Sequence, residues 1–455
     1  MSLKKYKSHT SYLLLGMLLL SGCFEKKSAN QETEPAATTE QTPQPEPIAP
    51  AADESMETPV SAPDKVDVQV YLEISNGMKG FMPQAAADKE PTGFQSKLNK
   101  LISEVQDGRY VVSKSYYLAK QDAKGNPVLD SVSYQTMKGT IVGGIKSDVL
   151  GTPLPAMLEV ALKNAVSQNA VSIIVSDFIH GPDPRKPEQF ISLDSDIRSS
   201  LKLAEQKGLA IAVLADASEF YGSYHPAVKK PEIKRTLNGE LIPYYIWVIG
   251  KQQEVQVVTS KVLRQLPAQQ AYFGFSYTSV PFSALLKSKT FKPNGNVYCA
   301  SRTAEVCKSI NLLPEKNVPV EFTIGLNLNN LPLSMQQSTY LKSNLKLKNN
   351  GIKASILSVQ AADENTKATP ELAKYSHFVN LQVPQLTASS GAISLHLPQQ
   401  TPNWIAAWST TNDNNPAAAP KKTYQLTKII EGVYALYRDR SEDVFQATIQ
   451  FNKAD

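Results

Sequence analysis

Glu73, Ser75, Asn76 and Gly77 stand in one short run, Glu73-Ile-Ser-Asn-Gly77, directly after a stretch in which Val66, Val68, Val70 and Leu72 come every second residue. That alternation, rich in Val and Tyr, predicts a strand over Val66–Leu72. Its end then delivers a carboxylate, a hydroxyl and a glycine turn to one edge of a sheet. In open α/β sheets the carboxyl edge of the strands is where ligands sit. Two later segments are able to bring matching groups there: Thr152 in Leu150-Gly-Thr-Pro-Leu154, and Asp177 at the end of Val171-Ser-Ile-Ile-Val-Ser-Asp177. Asp183 is a further carboxylate, and so is Asp216, which closes the apolar run Leu209–Ala215 and so ends a next parallel strand. Asn76 and Asp216 are candidate additional members of the site.

These pieces resemble the von Willebrand factor A family. Its metal-ion-dependent adhesion site takes Asp-x-Ser-x-Ser from the end of the first strand, a Thr from a later loop and an Asp from the end of the fourth strand. Ser75, Thr152 and Asp177 match residue for residue, and Met78-Lys-Gly-Phe81 follows in family-like fashion. Glu73 replaces the family's Asp, and Gly77 stands where the second Ser belongs, which removes a direct ligand. The resemblance covers roughly residues 66–266 and implies a doubly wound, mostly parallel sheet. It also implies that Glu73, Ser75, Thr152 and Asp177 hold a hard divalent cation (Mg²⁺, or Mn²⁺ or Ca²⁺), which wants near-octahedral oxygen and leaves a position open for a partner's carboxylate. Two alternatives stay open: a degenerate, metal-free site in which Ser75 caps the turn and Thr152 a helix, and coincidence in an unrelated α/β fold. Lys79 either neutralises Glu73 or Asp177 or is solvated. His180 and His225 read as loop histidines rather than ligands, and His377 and His396, in the β-rich half, show no paired spacing.

The elements that must position these groups alternate between strand and helix patterns. Phe94, Leu98, Leu101, Ile102 and Val105 keep helical spacing. Tyr110–Leu118 and Ser131–Thr136 read as a strand pair around the turn at Lys124-Gly-Asn-Pro127, and 139–148 as loop. Pro153 opens a helix to about Val166. Leu193–Gly208 reads as a helix ended by glycine, Pro243–Ile249 as a strand and Gln252–Leu266 as a helix. This is an α/β pattern with crossover helices. Past about Gln270 come short alternating runs, from Val318–Gly325 to Ala392–Leu397, with turns such as Asn349-Asn-Gly351 and one late helix, Leu426–Tyr437. That remainder predicts a second, β-rich, sandwich-like domain, so the expected boundaries are 66–268 and 269–455.

The chain has 455 residues, 42% hydrophobic and 20% charged, with a net charge of +5. These values are ordinary for a globular protein of two or three domains. With no basic run carrying interleaved aromatics, nucleic acid is not an expected partner. Lys4, Lys5 and Lys7 precede the short apolar run Tyr12–Leu20 and then Ser21-Gly-Cys23, which reads as a secretory signal over residues 1–22. Leu20-Ser-Gly-Cys23 resembles a bacterial lipobox, with Cys23 lipidated; an ordinary cleaved signal is the alternative. Phe24 in place of Asp then points to the outer membrane. Residues 23–65, rich in Ala, Thr, Glu, Gln and Pro, form an expected disordered tether. In an oxidising compartment Cys299 and Cys307 are expected to pair. There is no Gly-x-Ser-x-Gly, His-Glu-x-x-His, phosphate-loop or Gly-x-Gly-x-x-Gly motif. The expectation is an envelope-anchored lipoprotein binding a protein partner, held to the membrane by its lipid. A metal-dependent envelope hydrolase, or a metal-free scaffold of an envelope complex, is the alternative.

Overall fold

The computed structural model describes residues 63–84, 90–146, 148, 149, 154–179, 191–228, 235–263, 269–315, 318–439 and 441–454. All lie in one compact unit, Ala52–Asp455. Cys23, the expected signal, nearly all of the expected tether, Thr152, His180 and Asp183 fall outside the described residues.

The first elements are β1 (Val66–Glu73), α1 (Gly93–Asp107), β2 (Val111–Gln121), β3 (Pro127–Val132), α2 (Tyr134–Gly143), α3 (Leu154–Gln168), β4 (Val171–Ser176) and α4 (Leu193–Gln206). Then come β5 (Ala210–Tyr224), β6 (Arg235–Gly250), α5 (Gln252–Val257) and β7 (Gln269–Phe273). The seven strands form one sheet in the order β3-β2-β1-β4-β6-β5-β7. Because successive strand residues point to opposite faces, Val68, Val70, Ile173 and Val175 pack on one side, with α1 and α2. Tyr71 and Ile174 pack on the other, with α3 and α4. The fold is therefore α/β with both sheet faces covered, as the near-continuous apolar runs of β1 and β4 require.

The expectation of a mostly parallel sheet does not hold. Only β1–β2 and β1–β4 run parallel, whereas β2–β3, β4–β6, β5–β6 and β5–β7 are antiparallel. The reason lies in the segment that follows Asp216. Residues 221–224 prolong β5, which pairs along its whole length with β6, from Ala210↔Gly250 to Tyr224↔Arg235. This long hairpin places β6, not β5, beside β4. Two further differences are local. Ser133 caps α2 by accepting from the N–H of Thr136 at 3.1 Å, so the expected loop at 139–143 is helix. The α-helix after β6 stops at Val257 and continues as a π-helical turn, Val258–Val262.

The C-terminal half is β-rich, as its alternation predicts. It contains β8 (Phe282–Ser283), β9 (Asn296–Cys299), β10 (Ser309–Leu313), β11 (Val320–Leu326), β12 (Lys346–Asn350), β13 (Ile352–Ala361), β14 (His377–Leu386), β15 (Ser390–Pro398), β16 (Ser409–Thr410), β17 (Thr423–Tyr424), α6 (Leu426–Arg438) and β18 (Asp443–Lys453). Two sheets, β12-β15-β18-β10-β9 and β13-β14-β11-β8, pool their apolar faces in one cluster. The Asn349–Gly351 turn carries the chain from one sheet to the other, since β12 pairs with β15 and β13 with β14. Beyond the expected boundary at 268, β7 pairs with β5. Ile429, Ile430 and Val433 of α6 share the apolar layer of α3 and α4. Cys299 and Cys307 form the expected disulfide, with Cα atoms 5.8 Å apart. No helix among the described residues is long and apolar enough to cross a membrane.

Candidate functional site

The parallel register of β1 and β4 matches Leu72 with Val175, so Glu73 ends one strand beside Ser176 at the end of the next. The Ser176 hydroxyl donates to Glu73 Oε2 and accepts from the N–H of Phe178 at 2.9 Å. Asp177 follows, and its Oδ1 accepts from the N–H of Ile179 at 2.9 Å. Between them Phe178 takes a left-handed turn, φ +52°, which costs a non-glycine residue about 1–2 kcal/mol. Its buried ring stacks on Trp247 with centroids 4.8 Å apart, which holds the turn. Ser75 lies in the turn after β1, where its carbonyl accepts from the N–H of Met78 at 3.0 Å. The structure thus brings Glu73, Ser75 and Asp177 together at the carboxyl edge, exposed by only 6, 2 and 5%.

Gly77 completes that arrangement by what it lacks. A Cβ at this position would lie 3.1 Å from Asp177 Oδ2 and 3.3 Å from Ser75 Oγ. Among the described residues both oxygens therefore face one small gap and neither has a hydrogen-bond partner. Asn76 positions the next part of the site: its N–H donates to the carbonyl of Val149 at 2.8 Å, and its Oδ1 accepts from the Val149 N–H at 3.1 Å. Val149 is tied by this pair to the turn after β1. Lys79 pairs with Asp148 at 2.7 Å rather than with Glu73 or Asp177, and its hydrogen bond lowers the Asp148 pKa.

Asp216 is not part of the site. It lies inside β5, paired with Tyr244, and forms an ion pair with Lys97 of α1. The insertion of β6 between β4 and β5 moved it away. Nearby Ser218 and Glu219 accept from the N–H groups of Phe94 and Gly93 at 2.8 and 2.9 Å and hold the start of α1. His377 is a buried structural residue, bonded to Gln336 O at 2.6 Å, and His396 bonds Asp443 at 2.8 Å.

Asp413, which no spacing in the sequence singles out, joins the electrostatics of the edge. It is 4% exposed and accepts from the N–H groups of Ala227 and Val228 at 2.7 and 3.1 Å. Burial, followed by the charge of Glu73, pushes the Asp177 carboxyl well above the usual carboxylate range; the Ile179 N–H opposes the rise and Asp413 adds to it. Burial likewise raises Asp413, against its two N–H donors. Tyr245, beside Asp177, donates to Thr423 at 2.7 Å. Buried like charges of this kind need either protons or a cation.

The donor set fits a hard divalent cation in part. Ser75 Oγ and Asp177 Oδ2 lie close to Gly77 without a hydrogen-bond partner among the described residues, while Glu73 accepts from Ser176. Among the described residues no group of three or more His, Cys, Asp or Glu side chains is placed to hold a metal ion. Compared with protein-family models, curated proteins and solved structures, the chain matches none.

Proposed function

We propose that this chain is a lipid-anchored protein of the bacterial cell envelope that binds a protein partner at the carboxyl edge of its seven-stranded sheet. In this reading Ser75 and Asp177, with Thr152 and with Glu73 through Ser176, form a degenerate von Willebrand A-like site. A bound Mg²⁺, Mn²⁺ or Ca²⁺ would supply the coordination position that a partner's carboxylate fills. The observation that carries the reading is that Ser75 Oγ and Asp177 Oδ2 both lie against Gly77, with no hydrogen-bond partner among the described residues. The Leu20–Cys23 motif supports the anchor at Cys23. A second reading, a metal-free scaffold, is favoured by the Ser176–Glu73 hydrogen bond, which satisfies one carboxylate without a cation.

Affinity capture from envelope extracts with the full chain, with Mg²⁺ or with chelator, tests both. A partner recovered with Mg²⁺, and lost with chelator and in Asp177→Ala, is expected. Recovery indifferent to chelator and to Asp177→Ala supports the scaffold. Capture of nothing in any condition refutes protein binding.

A further inference from the structure

A cavity of about 590 Å³ lies between the outermost strands of the two C-terminal sheets, bordered by Ser283 of β8 on one side and by Tyr298 and Cys299 of β9 on the other. This volume falls within the ~300–1,000 Å³ of ordinary ligand sites. Its floor is apolar: Leu286 and Tyr375 are only 8 and 3% exposed, and Tyr298 stands at the mouth at 45%. The loop closed by the Cys299–Cys307 disulfide supplies the lip, carrying Arg302, Ala304 and Glu305. Lys287 Nζ donates to the carbonyl of Ala304 at 3.2 Å and ties that lip to the opposite wall.

The charge around the cavity is unbalanced. Lys287, Arg302 and Lys374 face Glu305 and Glu371, three cations against two carboxylates. Lys374 pairs with Glu305 at 3.2 Å. Arg302 has no ion-pair or hydrogen-bond partner among the described residues, and its planar fork suits a carboxylate. Among the described residues β9 pairs with β10 alone and is the last strand of its sheet; just before it Asn294 bridges to Glu321 of β11, so its other edge is open from Asn296 onward. Its other edge is therefore a template for an added extended strand.

We propose that this cavity docks the C-terminal end of an extended peptide. The peptide's backbone pairs along β9, its last apolar side chain fills the floor over Leu286 and Tyr375, and its terminal carboxylate pairs with Arg302. The site is independent of the carboxyl edge at Glu73 and Asp177.

Fluorescence anisotropy with the full chain and a labelled hexapeptide, Thr-Val-Thr-Val-Leu-Phe, tests the proposal. The free acid is expected to bind saturably and the C-terminal amide roughly tenfold more weakly, the scale of one charge-assisted pair. Arg302→Gln, at an exposed position, should remove the difference between acid and amide. Reduction of the disulfide, or Cys299→Ser with Cys307→Ser, should weaken the acid by loosening the lip. Equal affinity for acid and amide, an acid–amide difference that survives in Arg302→Gln, no binding by the intact chain, or decanoate occupying the cavity where the peptide does not, would each overturn it.

Discussion

Replacing Gly77 with alanine sets a methyl carbon 3.1 Å from Asp177 Oδ2 and 3.3 Å from Ser75 Oγ. Optimal non-bonded separations are about 3.5–4.0 Å, so both oxygens must yield by a few tenths of an ångström. The methyl also covers the nearer oxygen, Asp177 Oδ2, and shuts that one buried acceptor off from water or a cation at about 1–3 kcal/mol. Loss of glycine's freedom in the unfolded chain offsets about 0.4–1 kcal/mol of this, since no left-handed φ stands against a side chain here. The net expectation is a destabilisation of about 1–2 kcal/mol. Unfolding entropy of ~2.1 cal/mol/K per residue, over the unit Ala52–Asp455, converts this to a fall of about 1–2 °C in Tm. Gly77→Ser carries the same Cβ but adds a hydroxyl that donates to Asp177 Oδ2, recovering about 1 kcal/mol. The expected order is Gly77 first, Ser second and Ala last, read by calorimetry of all three proteins. Excess MgCl₂ should raise Tm for Gly77 and Ser, by the mass-action term of a ligand that binds only the folded state, and should leave Ala unmoved. Alanine equal to the parent in both stability and Mg²⁺ response would refute the idea that the two oxygens share the gap at Gly77.

Two other perturbations probe the same architecture. Asp177 has a folded-state pKa raised above its unfolded value by burial and Glu73, so the folded protein holds the extra proton. Its contribution is fully present below about pH 4, the unfolded value, and is lost as pH rises toward the raised folded pKa. Asp177→Asn removes that loss: in chelator, urea titrations at several pH values should show the variant gaining on the parent as pH rises, and a constant difference would contradict the assignment. At Gly432 a Cβ would lie 2.4 Å from the carbonyl of Asp194 on α4. Gly432→Ala should therefore cost about 1–3 kcal/mol and loosen α6 first, read as faster amide exchange in Leu426–Arg438; unchanged exchange there would show that this close approach does not hold the helix.

Local pattern alone carried much of this protein. The two-residue alternation at Val66–Leu72, the helical spacing of Phe94 to Val105 and the apolar run before Asp177 each specify an element, because side-chain period follows from backbone geometry. Those elements, with the family resemblance, led to the expectation that Glu73, Ser75 and Asp177 lie at the ends of neighbouring strands; β1 and β4 are neighbours, with Leu72 opposite Val175. The pairing of Cys299 with Cys307 also followed, from the compartment implied by the amino terminus. Other features were decided only by contacts between distant parts of the chain. Whether β5 crosses over or folds back on β6 depends on which partner its edge finds, and nothing in Leu209–Ala215 records that choice; Asp216 left the site as a result. Asp413 reaches the carboxyl edge only because its carboxylate accepts from Ala227 and Val228 and so anchors the segment that carries it. Alternation can state that a residue is buried. Which charge it is buried beside is set by the tertiary fold, because Coulomb interactions depend on distance in space and not along the sequence.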